Sequence, residues 1–436
     1  MKKLLTLIVS IMLVAIMLFT MTACDNPGDG DTTDAEGNTI VKIMFHVDKT
    51  STEGQAYQKR ISAFNAAYKD KQIKAQAIFK ARTAGASGYE TELQNNQLEG
   101  TLADIITFDA PNTAAYASSG LLYDISNLIS AEEQSKFFAL NKYNGKLYGL
   151  PIQESSAGFF YNKKIFREAG INVDGFTAEN PWTLEQFKDV CNRLRNHGVT
   201  AVDMRIDATK DEMAPYLLYP FIYATGGSFV SEDGLTATGY YNSPATAQGF
   251  QFIKDLISSG YTSYSIGATD FFTGKVGMYL SSGWTIPDLD NKYREYFASR
   301  DDWGLLPYPK GVVAASATGS WSYAITKNHH NDKTAIVELL KWMTSAESSE
   351  AITNATGMIP ARKDVVKNYP AGSPEYTLMK QLELSGKERP VTIAYPTFST
   401  TFNQVIYGLG NGDVNQLLNS ATNTLQDAIN KIKDRK

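Results

Sequence analysis

The stretch NGKLYGLPIQESSAGFFYNKKIFREAG, residues 144–170, places two strands and a helix around a polar segment. The first predicted strand ends at Pro151, because proline has no N–H to donate in the middle of a sheet. The second strand is predicted over Gly158–Tyr161, and an amphipathic helix then runs to Gly170. The polar segment between the strands, Gln153–Ser156, is unusual between buried strands. It indicates that the chain passes a cavity or a junction between domains here.

Length and composition indicate a globular protein with two lobes. A single hydrophobic core rarely grows beyond about 250–300 residues, and this chain has 436. Hydrophobic residues make up 43% and charged residues 20%, which excludes a disordered chain. The formal net charge is -5, and it becomes -7 without residues 1–23, whose only charges are Lys2 and Lys3. An acidic balance without a basic run argues against binding to nucleic acid.

The first 39 residues predict export and anchoring rather than a folded element. Two lysines precede an apolar run over residues 4–19, and small residues then lead to Cys24, as in a signal peptide. The tripeptide that ends at Cys24 resembles a bacterial lipobox, which implies cleavage before Cys24 and acylation of its thiol. An uncleaved membrane anchor is the alternative, since the segment from Leu4 to Ala23 is long enough to span a bilayer. Residues 25–39 contain no large apolar side chain and predict a flexible tether.

The segment that starts at Ile40 predicts a parallel α/β sheet. Strands are predicted over residues 40–45, 73–79 and 104–108, and helices over 56–68 and 89–98. Strands that alternate with helices in this way form parallel sheets with right-handed crossovers. Ligands of open α/β sheets bind beyond the carboxyl ends of the strands. His46, Asp48 and Asp109 follow strand ends and are therefore candidate ligand contacts, although each could instead be a turn or helix-cap residue.

Short motifs along the chain resemble, in their order, those of the sugar-binding lipoproteins of ABC importers, the maltose-binding-protein group. The matching residues are Gly145, Tyr148, Gly149 and Pro151, then Tyr161–Lys163, Phe166 and Gly170, then Asp104–Asp109, Tyr116, Gly120 and Leu122, and further on Pro215–Pro220, Asp270–Trp284, Thr318–Ile325 and Thr356–Arg362. The resemblance implies an α/β chain with the type II, periplasmic-binding-protein-like fold. Each of its two lobes would hold a mixed, mostly parallel sheet flanked by helices, and a hinge would join the lobes.

The resemblance also implies domain boundaries. They are a lipoprotein signal peptide over 1–23, a tether over 24–39, lobe 1 over 40–152 and 306–355, and lobe 2 over 153–305 and 356–436.

The same resemblance assigns ligand contacts. Trp284 matches a tryptophan whose ring stacks on a sugar, and Tyr216 matches a sugar-stacking tyrosine, although each could instead be a core aromatic residue. Ala214 replaces an acidic residue common in the family, which leaves the exact ligand open. The family's second acidic residue in the matching block, here Asp109, often reaches the sugar. The remaining candidates from the polar segment, the strand-end loops and the return crossing are Glu154, Gly283, Ser320, Trp321 and Arg362, of which Arg362 could instead cap a helix.

Two other functions fit parts of the sequence. A secreted glycoside hydrolase needs two carboxylates that flank one bond, and Asp109 and Glu154 could face one cleft. A binding protein for peptide, phosphate or metal is the other alternative, but neither the four histidines nor the two cysteines form a zinc motif. The ordered motifs favour binding without catalysis, cofactor or metal.

The expected partners follow from the resemblance and the anchor. They are a carbohydrate, the permease subunits of an ABC transporter and, through a lipid on Cys24, the outer face of the bacterial cytoplasmic membrane. The protein is expected to be a monomer that does not bind nucleic acid.

Overall fold

The computed structural model describes residues 33–82, 88–207, 212–319, 321–327, 329 and 333–435. Within them the strands are β1 (Thr39–Phe45), β2 (Ile73–Phe79), β3 (Ile105–Asp109), β4 (Asn141–Tyr143), β5 (Lys146–Pro151), β6 (Gln153–Asn162), β7 (Thr200–Asp203), β8 (Val276–Ser282), β9 (Trp303–Leu306), β10 (Ser316–Gly319), β11 (Trp321–Ile325), β12 (Ile359–Pro360) and β13 (Gly386–Lys387). The α-helices are α1 (Thr52–Ala67), α2 (Tyr89–Glu99), α3 (Thr113–Ser118), α4 (Ala131–Ser135), α5 (Lys163–Glu168), α6 (Leu184–Asn196), α7 (Met213–Ala224), α8 (Pro244–Ser258), α9 (Thr285–Pro287), α10 (Lys333–Met343), α11 (Ala346–Thr356), α12 (Pro374–Ser385), α13 (Tyr395–Gly408) and α14 (Val414–Lys433).

The strands form two sheets. The first has the order β2-β1-β3-β11-β5-β4, and the second has the order β13-β10-β6-β8-β7, with β9 and β12 also paired to β6. Strand β1 pairs with β2 and β3 in parallel, which confirms the parallel arrangement predicted for the amino-terminal segment. Strand β11 runs antiparallel to both β3 and β5, so the first sheet is mixed.

The chain passes from one sheet to the other at the stretch that opened the sequence analysis. Strand β5 ends in the first sheet at Pro151, and β6 begins in the second sheet at Gln153. A second crossing lies between Gly319, the end of β10, and Trp321, the start of β11. At a third place β12, which follows helix α11, pairs with the first residues of β6. The polar segment predicted to face a junction therefore lies at one, and its side chains are buried.

Two sequence-based predictions need correction. The motif over residues 318–325 reads as one strand in the sequence, but its described residues are divided between β10 in the second sheet and β11 in the first. Because the residues of β10 pair with β6 of the second sheet, we group them with lobe 2 in the division proposed below, whereas the resemblance begins the second part of lobe 1 at 306. The tether predicted over 24–39 is also too long. Asp34 accepts hydrogen bonds from the backbone N–H groups of Glu36 and Asn38 and pairs with Lys74 at 3.0 Å, so this turn is held against β2.

Local sequence signals set several helix ends. Thr183 and Gln186 form a complete capping box at the start of α6, and the Ser243 hydroxyl caps α8 with Pro244 in its first turn. Cys191 is buried in α6 as a free thiol. Cys24 and the predicted signal peptide lie outside the described residues. None of the helices in the described ranges has the length and apolar character that a membrane crossing requires.

Candidate binding site

A cavity of about 690 Å³ lies between the two sheets, in the size range of small-molecule sites. His46, Asp109 and Trp321 line it from the ends of strands in the first sheet, and Ser155 lines it from β6 in the second. The structure thus brings half of the predicted contacts into one place, namely Trp284, Tyr216, Asp109, Trp321 and His46. Residues from both sheets contribute, which is the arrangement expected at the mouth of two lobes.

Trp284 and Tyr216 form an aromatic pair on the second-sheet side of this cavity. Their ring centroids are 5.8 Å apart at an interplanar angle of 41°. Trp284 follows the end of β8 and keeps 36% of its surface exposed. Tyr216 donates its hydroxyl to Ser155 at 2.7 Å, and Ser155 donates in turn to the Gly319 carbonyl at 2.6 Å. Hydrogen bonds through Ser155 therefore hold Tyr216 at the two crossings between the sheets, while the Trp284 ring is available to a ligand.

Asp109 is bound by arginine in this structure. Arg389, which follows β13 of the second sheet, donates to both oxygens of Asp109, at 3.0 and 2.6 Å. The same guanidinium donates to Glu212 at 2.8 Å, and Arg82 lies 3.6 Å from Asp109. Asp109 and Arg389 are 5% and 3% exposed, so this bidentate pair joins the two sheets in a buried setting.

Arg389 remains charged despite its burial. Burial alone would lower its pKa, but Asp109, Tyr395 and Glu212 raise the pKa well above its ordinary value. Asp109 therefore orients Arg389 in the cavity, rather than offering a carboxylate without a partner. Sequence reasoning missed Arg389 and Glu212, because neither lies in a motif or just after a predicted strand. It also missed Arg82, which lies three residues after the predicted strand 73–79 and could have been found by the strand-end rule that selected Asp48.

The rings of His46 and Trp321 stack on each other. Their ring centroids are 3.3 Å apart and the planes are parallel within 3°. The Arg82 guanidinium lies 5.1 Å from the Trp321 ring centroid. Burial, followed by the charge of Arg82, lowers the pKa of His46 well below its usual value, so this imidazole is neutral at pH 7. Trp321 therefore offers less free ring face than Trp284 does.

The other predicted contacts lie elsewhere. Asp48 is exposed and accepts hydrogen bonds from the backbone N–H and the hydroxyl of Thr50, which is the turn role considered as its alternative. Arg362 is a structural residue outside the large cavity, because its guanidinium pairs with Glu133 and Asp364. Gly283 does not line the cavity, and a Cβ atom there would lie 2.5 Å from the Gly357 carbonyl. Ser320 lies outside the described residues.

Glu154 lines a second, smaller cavity of about 90 Å³. Burial, with a further contribution from Glu388, raises the pKa of Glu154 to about 8. Asp109 and Glu154, the carboxylate pair considered for a hydrolase, therefore line two different cavities. Within the described part of the chain, no group of three or more His, Cys, Asp or Glu side chains could hold a metal ion.

Replacing Glu154 with glutamine is expected to reduce the loss of stability that occurs as the pH rises from about 4.5 to about 8. The folded protein holds the Glu154 proton more tightly than the unfolded chain does, so its contribution to stability is complete below the ordinary pKa of 4.5 and is lost as the pH rises to about 8. The loss is at most about 1.4 kcal/mol per pH unit in this interval. Urea unfolding at several pH values measures it. An unchanged pH profile in Glu154→Gln would contradict the assignment, and Glu185→Gln, at a side chain 82% exposed, is the matched control.

Comparisons with known proteins agree with this architecture. The model of a family described as bacterial extracellular solute-binding protein matches residues 59–381. The galactooligosaccharide-binding protein of Bacillus subtilis is 23% identical over 83% of this chain and 81% of its own length. The diacetylchitobiose binding protein of Streptomyces coelicolor is 24% identical over 81% of this chain and 82% of its own length.

A crystal structure shows a similar fold. The cyclic alpha-maltosyl-1,6-maltose binding protein from Arthrobacter globiformis superposes with a TM-score of 0.74 at 22% identity, over 91% of this chain and 100% of that chain. This likeness confirms the predicted fold class.

Proposed function

This chain belongs to the family of bacterial extracellular solute-binding proteins, and on that premise we propose that it binds a carbohydrate, in particular an oligosaccharide, and delivers it to the permease of an ABC transporter. The ligand would enter the large cavity while the lobes are apart. Closure about the crossings at 151–153 and 319–321 would then enclose it, as in other periplasmic binding proteins. The closed form would dock on the permease.

The exposed ring of Trp284 is the observation that carries this proposal. A flat indole face, 36% exposed beside Tyr216 in a cavity of about 690 Å³, suits the apolar face of a pyranose ring. The charged groups nearby suit the hydroxyl groups of the sugar, because hydrogen bonds to charged partners are about twice as strong as neutral ones. Arg82, Glu90 and Glu212 line the same cavity, where Arg82 pairs with Glu90 and Glu212 accepts from Arg389.

The names of the relatives support a sugar as the ligand class. Two of them are described as binding galactooligosaccharide and diacetylchitobiose. A cleft that closes on an oligosaccharide needs aromatic faces and charged hydrogen-bonding groups, and this cavity has both. The hydrolase alternative has lost its candidate pair, because Asp109 is bound by Arg389 and Glu154 lines the other cavity.

Anchoring is part of the proposal. A lipid on Cys24 would hold the protein at the outer face of the cytoplasmic membrane, and the residues before Asp34 would let it reach the permease. The protein would act there as a monomer. We also keep the two-lobe division as a proposal, with lobe 1 over 40–152 and 321–355 and lobe 2 over 153–319 and 356–436.

A thermal-shift screen of mono- and oligosaccharides on the purified protein tests the function. A ligand that binds only the folded state raises its stability by about 2.7 kcal/mol at a concentration one hundred times its Kd. We expect at least one oligosaccharide to raise the melting temperature. If every sugar leaves it unchanged while reducing ends appear on incubation, the protein is a hydrolase and the proposal is wrong.

A further inference from the structure

The large cavity carries more negative than positive charge. Among the described residues that line it, the charged side chains are four carboxylates and two guanidiniums, namely Glu53, Glu90, Asp109 and Glu212 with Arg82 and Arg389. His46 adds no charge at pH 7, because burial and the nearby Arg82 lower its pKa well below the usual value. The described lining therefore has an excess of two negative charges when all four carboxylates are ionised.

Both guanidiniums of this cavity are already paired with carboxylates. Arg82 pairs with Glu90 at 2.5 Å and lies 3.6 Å from Asp109. Arg389 donates to both oxygens of Asp109 and to one oxygen of Glu212. Three carboxylates thus share the two positive charges, so an anionic ligand would have to compete with them for either arginine.

Glu53 is the carboxylate of this cavity that no lysine or arginine of the described residues neutralises. Its Oε1 atom accepts the Tyr57 hydroxyl at 2.6 Å and lies 3.7 Å from Nε2 of the neutral His46. The Glu53 side chain is 22% exposed and lines the cavity, so a ligand can reach it. Burial raises the pKa of Glu53, and the hydrogen bond from Tyr57 offsets this effect only in part. An ionised Glu53 therefore lacks a cation, which a ligand can supply.

We infer that the large cavity prefers a sugar with an ammonium group, that is an amino sugar, and that Glu53 binds this group. The inference rests on the proposed function, since the pyranose ring would stack on Trp284 of the second lobe while Glu53 contacts the ligand from the first. A hydrogen bond from an ammonium group to a carboxylate is stronger than one from a hydroxyl group at the same position, because both partners are charged. An anionic sugar would meet the excess carboxylates with like charge, so the same groups select against it.

Calorimetric titration with matched sugars tests this preference. The probes are glucosamine, glucose and glucuronate, then galactosamine, galactose and galacturonate, and finally the β-1,4-linked glucosamine dimer with cellobiose. At neutral pH and low salt we expect the amino sugar of at least one set to bind about ten-fold more tightly than its neutral counterpart. The anionic sugars are expected to bind more weakly than the neutral ones. Salt at about 0.5 M is expected to reduce both differences, because it screens the charges.

A variant of Glu53 and a matched control identify the group that binds the ammonium. Glu53→Gln removes the charge and is expected to bring the affinity ratio of amino to neutral sugar from about ten towards one. Glu92→Gln removes a charge from the same lobe outside the cavity, and it is expected to keep the wild-type ratio. Glu53 also lies in the first turn of α1, where a carboxylate favours the helix N-terminus. A purely structural role would lower the melting temperature of Glu53→Gln without changing the ratio.

The outcomes distinguish this inference from the proposed function. Amino sugars that bind no more tightly than their neutral counterparts, or not at all, overturn the inference, while any other sugar that binds leaves the function standing. A preference that Glu53→Gln retains also overturns it, because another group then binds the ammonium. If no sugar binds here or in the thermal-shift screen, both proposals are wrong. Spermidine, a cation without a pyranose ring, then shows whether the cavity takes a polyamine instead.

Discussion

Replacing Arg389 with methionine is expected to lower the free energy of unfolding by about 3–5 kcal/mol and to weaken carbohydrate binding. Arg389 is 3% exposed and donates to Asp109 and Glu212, which are 5% and 9% exposed. Removing the guanidinium takes from both buried carboxylates the cation that joins them, and leaves Asp109 only Arg82 at 3.6 Å and Glu212 only the hydroxyls of Tyr395 and Ser399. Breaking a buried ion pair by removing one partner has a cost of this size. Urea unfolding measures the first effect, and calorimetry with the sugar found in the thermal-shift screen measures the second.

Arg362 offers a matched control for this experiment. It is 4% exposed and pairs with Glu133 and Asp364, but it lies outside the large cavity. We expect Arg362→Met to lower stability and to leave sugar affinity unchanged. Unchanged stability and unchanged affinity in Arg389→Met would contradict both roles of Arg389.

A double variant distinguishes the loss of the Arg389–Asp109 ion pair from the cost of leaving the Asp109 carboxylate buried without Arg389. Arg389→Met combined with Asp109→Asn removes one of the two carboxylates that Arg389 joins. It is therefore expected to be more stable than Arg389→Met alone, which is a non-additive result for two residues in contact. If the two effects simply add, the buried charge of Asp109 is not the source of the cost.

The parts of the fold that the sequence predicts well are those set by neighbours along the chain. Pro151 ends β5 because it lacks an N–H, and Thr183 with Gln186 begins α6 because each side chain bonds the other's backbone. Trp284 and Tyr216 came from motifs whose positions in the family are regular. These signals need no knowledge of the rest of the chain.

The parts that the sequence does not predict depend on residues far apart in the chain. Arg389 binds Asp109, which is 280 residues away in the sequence, and Glu212, which is 177 residues away. Gly319 is the one residue near the change of sheet between β10 and β11 that a sequence could point to. A Cβ atom at Gly319 would lie 2.9 Å from the Arg389 guanidinium and 3.1 Å from the Tyr216 ring. Because this close approach depends on the distant Arg389, neither the turn at Gly319 nor the ion pair can be predicted from the neighbouring sequence alone.

Trp284→Ala is expected to weaken carbohydrate binding at least ten-fold. A ten-fold loss is about 1.4 kcal/mol, which corresponds to roughly 60 Å² of apolar face at 25 cal/mol per Å². The indole of Trp284 can supply such a face because Trp284 is 36% exposed. The Trp321 ring, in contrast, is stacked on the His46 ring, with 3.3 Å between the ring centroids. Calorimetric titration of wild type and variant with the same oligosaccharide gives the ratio of their Kd values.

The control must remove an aromatic ring without touching the cavity. Tyr407 is 69% exposed on the helix Tyr395–Gly408 and does not line the large cavity, so Tyr407→Ala is expected to keep the wild-type affinity. The melting temperature of each variant without ligand shows whether a lost affinity reflects lost folding. Equal Kd values for Trp284→Ala and the wild type would mean that the sugar does not stack on this ring. The charged residues around Arg389 would then have to supply the affinity alone, and Arg389→Met would become the variant with the larger effect on binding.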